Sequence, residues 1–135
     1  MDNHEFKSLK GLHVLVVNDN SIDQRLISHM LMQWQVSADM ATNGKTALEM
    51  VTKDIYDVVL MDIIMPAMDE YETTRAIRSM EGTYFRKLPI FVLNKIPDNK
   101  KMLEYGITGY YTGFHSPTQE LYQMISPYLK QIGDL

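Results

Sequence analysis

Two carboxylates, Asp62 and Asp19, are the side chains best placed by sequence to do chemistry. Asp62 ends the apolar run Tyr56-Asp57-Val58-Val59-Leu60-Met61 and precedes the proline-containing stretch Ile63-Ile64-Met65-Pro66. Asp19 stands in the same place after a first apolar run, Leu12-His13-Val14-Leu15-Val16-Val17. A carboxylate just past a buried strand lies at the edge where open α/β sheets bind ligands. Two of them converging at neighbouring strand ends make a site for a hard cation. They also place a nucleophile where a phosphoryl group could be accepted.

Those positions demand strands and helices that alternate. Leu12 to Val17 reads as a buried strand. Ser21, the expected N-cap, opens a helix to Trp34, with Ile22, Leu26, Ile27, Met30, Leu31 and Trp34 at helical spacing. Val36 to Ala41 is a second strand. Asn43-Gly44 enters a helix with Ala47, Leu48 and Val51 on its apolar face. Val58 to Met61 is the third strand, and Tyr71 to Met80 a helix with Arg75 and Arg78 on its solvated side. Leu88 to Leu93 is the fourth strand. Pro97-Asp98-Asn99 opens a short fourth helix that stops at Tyr105-Gly106. Ile107 to Thr112 holds the fifth strand. Ser116-Pro117 starts a fifth helix toward Leu129, its apolar positions Leu121, Met124, Ile125 and Leu129, with Pro127 set to shorten it. Five strand–helix units with short connections predict a parallel sheet covered on both faces. Residues 1–10 read as a tail or linker, and 11–132 as one domain.

Composition excludes several classes. The chain has 135 residues, 45% hydrophobic and 22% charged, as one soluble domain would. A net charge of −4 gives no footprint for direct nucleic-acid binding. There is no cysteine, which removes disulfides and thiolate metal sites and suits the cytoplasm. No apolar stretch is long enough to insert in a membrane. The eleven methionines are read as core filler. His13 is expected to be partly buried, His29 exposed or capping, and His115 a surface loop histidine close enough in sequence to strand five to approach the pocket; no two histidines have transition-metal spacing. Phosphate loops, a converging Ser-His-Asp order and a glycine-rich dinucleotide fingerprint are missing. A flavin-binding role is disfavoured because the loop Asn18-Asp19-Asn20-Ser21 is acidic and lacks glycine.

From about residue 11 to 131 the chain resembles the receiver domain of bacterial response regulators. Val16-Val17-Asn18-Asp19-Asn20 resembles the acidic loop after the first strand. Leu60-Met61-Asp62-Ile63-Ile64-Met65-Pro66-Ala67-Met68-Asp69 resembles the phosphoacceptor strand and loop. Tyr71-Glu72-Thr73-Thr74-Arg75-Ala76-Ile77-Arg78 is similar to receivers attached to hybrid histidine kinases. The resemblance implies a flavodoxin-like (βα)5 three-layer sandwich with sheet order 2-1-3-4-5. It implies two-component phosphorelay chemistry, with phosphotransfer from a histidine to Asp62. It implies Mg²⁺ held by Asp19, Asp62 and the backbone carbonyl of Ile64, with Asn18 as a further candidate ligand. The partner would be a histidine kinase or a histidine phosphotransfer protein. Enzymatic activity would be at most self-phosphorylation from such a donor and autodephosphorylation.

The chain departs from this pattern at five positions. Asn18 replaces the usual first acid, and Asn94 the switch hydroxyl. Gly113 replaces the lysine after the fifth strand, Phe114 the proline after it, and Glu70 a glycine; Tyr110 keeps the aromatic switch position. Asn18 offers Mg²⁺ an oxygen but no charge. Without the lysine, a charge-assisted contact to the phosphoryl group is lost. The pocket of two carboxylates and no lysine carries −2, the same sum as three carboxylates and one lysine. Lys95, beside Asn94, is a candidate to reach the phosphoryl site from another strand. Two functions follow. One is a phosphorelay receiver, loaded at Asp62, with a degenerate switch. The other is a phosphorylation-independent pseudo-receiver. Its partners would read the face of the fourth helix, fifth strand and fifth helix, where Tyr105, Tyr110, Tyr111 and Phe114 cluster in sequence.

Overall fold

The computed structural model describes residues 6–62, 69–93, 95–112 and 117–130. Five strands form one parallel sheet in the order β2-β1-β3-β4-β5, as expected. They are β1 (His13–Asn18), β2 (Ser37–Ala41), β3 (Val58–Asp62), β4 (Ile90–Leu93) and β5 (Gly109–Tyr111). The helices are α1 (Ser21–Gln33), α2 (Gly44–Lys53), α3 (Glu70–Arg78), α4 (Thr83–Lys87), α5 (Asn99–Tyr105) and α6 (Pro117–Ile125). No helix among the described residues is long and apolar enough to cross a membrane.

Alternation along each strand divides the core into two layers. Val14, Val16, Val58, Leu60 and Leu93 pack with Ile27 and Leu31 of α1 and Leu121 and Ile125 of α6. Leu15, Val17, Val59, Met61 and Ile90 pack with Ala47 and Val51 of α2 and Ile77 of α3. The central strands are apolar on both faces because helices cover both.

Several local expectations need correction. The N-cap of α1 is Asn20, not Ser21; its Oδ1 accepts the N–H groups of Ile22 and Asp23. Ile22 and Leu26 fit the helical period but are 68% and 54% exposed, so the apolar stripe of α1 is wider than its buried face. Arg78 is half-buried rather than solvated, and α4 is an addition to the expected helices; its five residues carry too little periodicity to read. The expected fourth and fifth helices are therefore α5 and α6. Pro127 does end α6, which passes into a 3₁₀ turn at Ser126–Tyr128. The packed body starts before residue 11. The Phe6 ring packs at a tilt against Trp34 and Tyr122, Leu9 is buried, and the Lys7 carbonyl accepts the Tyr122 hydroxyl.

Three tyrosines make stability fall at alkaline pH. Burial raises the Tyr56 phenol above its usual range, helped by its 2.8 Å hydrogen bond to Asp39. Burial also raises Tyr84, and pushes Tyr111 up to about 12. The unfolded chain releases these protons near pH ~10, so the stabilisation is complete below that pH and is lost above it. We expect the melting temperature to fall from about pH 10 upward. In Tyr56→Phe the fall should be shallower, measured by circular dichroism across that range; an unchanged slope would reject the assignment.

Candidate functional site

The ends of β1 and β3 bring the predicted residues together. In the parallel register Asn18 lies directly opposite Asp62. Both continue the rows that face α1 and α6, so both side chains emerge at the same rim. Asn18 is fully buried, Asp62 is half-buried, and Asp19, one residue beyond the strand, is exposed.

Asn18 fixes this rim by three contacts. Its Nδ2 donates to Asp62 Oδ2 at 3.3 Å, its Oδ1 accepts the Asn20 N–H at 2.7 Å, and its carbonyl accepts from the Gln24 side chain. Asn20 then caps α1. One buried amide thus ties the phosphoacceptor candidate to the helix that follows Asp19. Gln24 was not singled out from the sequence, because a polar residue one turn into a helix carries no special signal.

This arrangement bears on a cation. The oxygen donors of Asp19 and Asp62 suit Mg²⁺ in type. Asn18, however, turns its N–H toward Asp62 and engages one lone pair of its oxygen with the Asn20 backbone, so its oxygen would meet a cation already hydrogen-bonded. The carbonyl of Ile64 lies outside the described residues, as do Asn94, Gly113, Phe114 and His115.

Lys95 is directed to an unexpected partner. Its Nζ lies 2.6 Å from Glu70 Oε2 at the first turn of α3. The Glu70 side chain is 1% exposed and the Lys95 side chain 43%. The hydrogen bond to Glu70 raises the Lys95 pKa and keeps its ammonium charged.

A second titratable group lies at the far end of the sheet. Ligand atoms of His13, Asp39 and Asp54 lie within 4.8 Å of one another. His13 opens β1 and Asn18 closes it, so about 16 Å of strand separates this group from the rim. It is therefore not the Mg²⁺ site implied for Asp62. His13 contacts Asp39 Oδ2 and the Ile55 carbonyl and lies on Tyr56, which ties the edge strand β2 to the turn before β3.

The tyrosines near β5 do not form one surface. Tyr111 is buried, and Tyr105 packs at a tilt against Tyr71 under the Arg75 guanidinium. Tyr110 is 45% exposed, and Leu103 of α5 is 76% exposed.

Residues 14–124 match the family model of the response regulator receiver domain. The chain belongs to that family. It is 34% identical over 121 residues to hybrid signal transduction histidine kinase I of Dictyostelium discoideum, covering 84% of this chain and 7% of that protein. It is 36% identical over 103 residues to probable histidine kinase 2 of Oryza sativa, covering 66% of this chain and 10% of that protein. The chain thus spans a tenth or less of these curated relatives. A receiver domain of the sensor histidine kinase PA1611 from Pseudomonas aeruginosa superposes with a TM-score of 0.76 at 27% identity, over 88% of this chain and 98% of that one. That structure has a magnesium ion coordinated in the active site cleft. The receiver domain of Ssk1 from Saccharomyces cerevisiae, crystallised with the histidine phosphotransfer protein Ypd1, has the same fold, with a TM-score of 0.75 at 20% identity over 91% of this chain and 92% of that one. Relatives occur in plants, a slime mould and yeast, so the resemblance to bacterial receivers does not establish a bacterial origin.

Proposed function

We propose that this receiver accepts a phosphoryl group on Asp62 from a phosphohistidine donor, as one station of a phosphorelay. The observation that carries the reading is the Asp62 carboxylate at the rim of β3, held by the Asn18 amide and flanked by Asp19. An Asp62 oxygen forms the new bond to phosphorus while the phosphorus–nitrogen bond of the donor breaks. The imidazole leaves and takes up a proton. Asp19, Asp62 and the Ile64 carbonyl would hold Mg²⁺, which supplies charge neutralisation on the transferring oxygens.

The donor must cover the rim to bring its histidine in line with Asp62. Ile22 and Leu26, on the first two turns of α1, are the exposed apolar side chains that follow Asp19 most closely in the chain. A phosphotransfer domain with an apolar helical face fits there. The docking contact then sits beside the chemistry, and a cytoplasmic donor domain suits it.

One observation favours the pseudo-receiver as a second reading. Asn18 supplies Asp62 with a hydrogen-bond donor inside the fold itself, so the rim is held without a cation. Partners would then read the α5–β5–α6 face at Leu103 and Tyr110, the aromatic switch position.

Intact mass separates the two. After incubation with Mg²⁺ and a small-molecule phosphodonor, the parent should gain one phosphoryl group and Asp62→Asn none. A folded parent that gains nothing would leave the pseudo-receiver.

A further inference from the structure

We infer that Glu70 is a positioning residue that holds Lys95 as the phosphoryl-binding cation of this receiver, in place of the lysine that position 113 lacks. The inference rests on the reading of Asp62 as phosphoacceptor.

The geometry is specific. β3 and β4 pair Met61 with Val92, so Asp62 is level with Leu93 when that register continues. Lys95 stands two residues further on, past the same rim. β4 is the neighbour of β3 in the parallel sheet, so Lys95 leaves β4 at the rim that carries Asp62. The four-carbon stem of a lysine gives its ammonium a long reach from that position.

Glu70 explains why the ammonium stays near. The carboxylate is 1% exposed, at the head of α3, and its Oε1 is the buried side-chain polar atom left without a hydrogen-bond partner among the described residues. A buried carboxylate with one cation holds that cation firmly, aided by the helix N-terminus. Releasing Lys95 would cost more than one charge-assisted contact to a phosphoryl oxygen returns. Lys95 therefore reaches the phosphoryl group while still bound. An ammonium has three donors, one of which is committed to Oε2, and the side chain is 43% exposed. Glu70 stands where the family pattern has a glycine, and Gly113 where it has a lysine, so the pair unites two departures in one device.

The test compares the parent with Lys95→Met, Lys95→Arg, Glu70→Gln and the double variant Glu70→Gln/Lys95→Met. Each is incubated with Mg²⁺ and acetyl phosphate, and adduct formation is followed by intact mass. Lys95→Met should slow acceptance by about tenfold or more, the loss of one charged contact. Glu70→Gln should slow it less. The double variant should be no slower than Lys95→Met, because Glu70 acts only through Lys95. Lys95→Arg should keep most of the parent's rate, and a further double variant, Glu70→Gln/Lys95→Arg, should keep little of it, a dependence that a plain strut would not show. Where Lys95→Met fails to fold with its buried carboxylate unpaired, the double variant removes both charges and carries the comparison. A parent that loads while the double variant loads equally fast overturns the inference alone. A parent that loads no better than Asp62→Asn overturns the phosphoacceptor reading and this inference with it.

Discussion

Asn18→Asp is expected to raise Mg²⁺ affinity by about tenfold or more and to destabilise the protein when no divalent cation is present. In the parent, an amide N–H of residue 18 points at Asp62 Oδ2 across 3.3 Å. The variant replaces that donor with a second carboxylate at the same separation. Two unit charges at this distance repel by about 5 kcal/mol at an effective dielectric near ~20. Local relaxation and partial exposure of Asp62 reduce this, so a net loss of about 2–3 kcal/mol is expected without metal. The Asn20 N–H keeps an acceptor in either case, so the α1 cap survives. With Mg²⁺ the repulsion becomes a third anionic ligand, and the melting temperature should recover. Calorimetric titration with Mg²⁺ and thermal melts with and without it check both halves. An unchanged Mg²⁺ affinity would place residue 18 outside the cation's reach and weaken the assignment of the rim.

Arg78→Met should destabilise the fold by about 2–4 kcal/mol, without altering the rim. Arg78 Nε and Nη2 both donate to the Gly106 carbonyl, at 3.1 and 2.8 Å, and Nη1 donates to the Phe85 carbonyl at 2.7 Å. The guanidinium therefore joins the end of α3 to α4 and to the C-cap of α5. Burial lowers its pKa from the ordinary value, a sign that the charge is partly stripped of water. Methionine keeps much of the aliphatic stem but leaves two carbonyls without their donor. Gly106 is tied to the same contact: its φ is 86°, and an added Cβ would lie 2.9 Å from Arg78 Nε. Gly106→Ala should therefore also destabilise, through left-handed strain and displacement of the guanidinium. Chemical denaturation reads both variants; a loss below about 1 kcal/mol for Arg78→Met would mean that water replaces its hydrogen bonds.

The strand–helix alternation, the parallel sheet and the placement of Asp62 and Asp19 at strand ends were all legible in the sequence. Those features rest on local periodicity and on apolar runs that only a doubly covered sheet can bury. Caps followed the same logic where one side chain had one obvious backbone target, as at Asn43 and Asp98, and where a glycine ends a helix in the left-handed region, as at Gly106. The sheet order needed either the family resemblance or the fold, because periodicity carries no record of which strands become neighbours.

Partners distant in sequence were decided by tertiary structure alone. Arg78 looked solvated on its own helix and is half-buried, since its partners come from residues 85 and 106. Ile22 and Leu26 fit the apolar period yet stay outside, because the buried seam of α1 is Ile27 and Leu31, continued by Trp34 at its C-cap. Glu70 read as a lost glycine; only the approach of the chain after β4 gives it Lys95, 25 residues away. Sequence pattern reports what a segment must bury. Which charge meets which is set by how the layers close, and for Asn18, Asp62, Glu70 and Lys95 that closure brings them to one rim of the sheet.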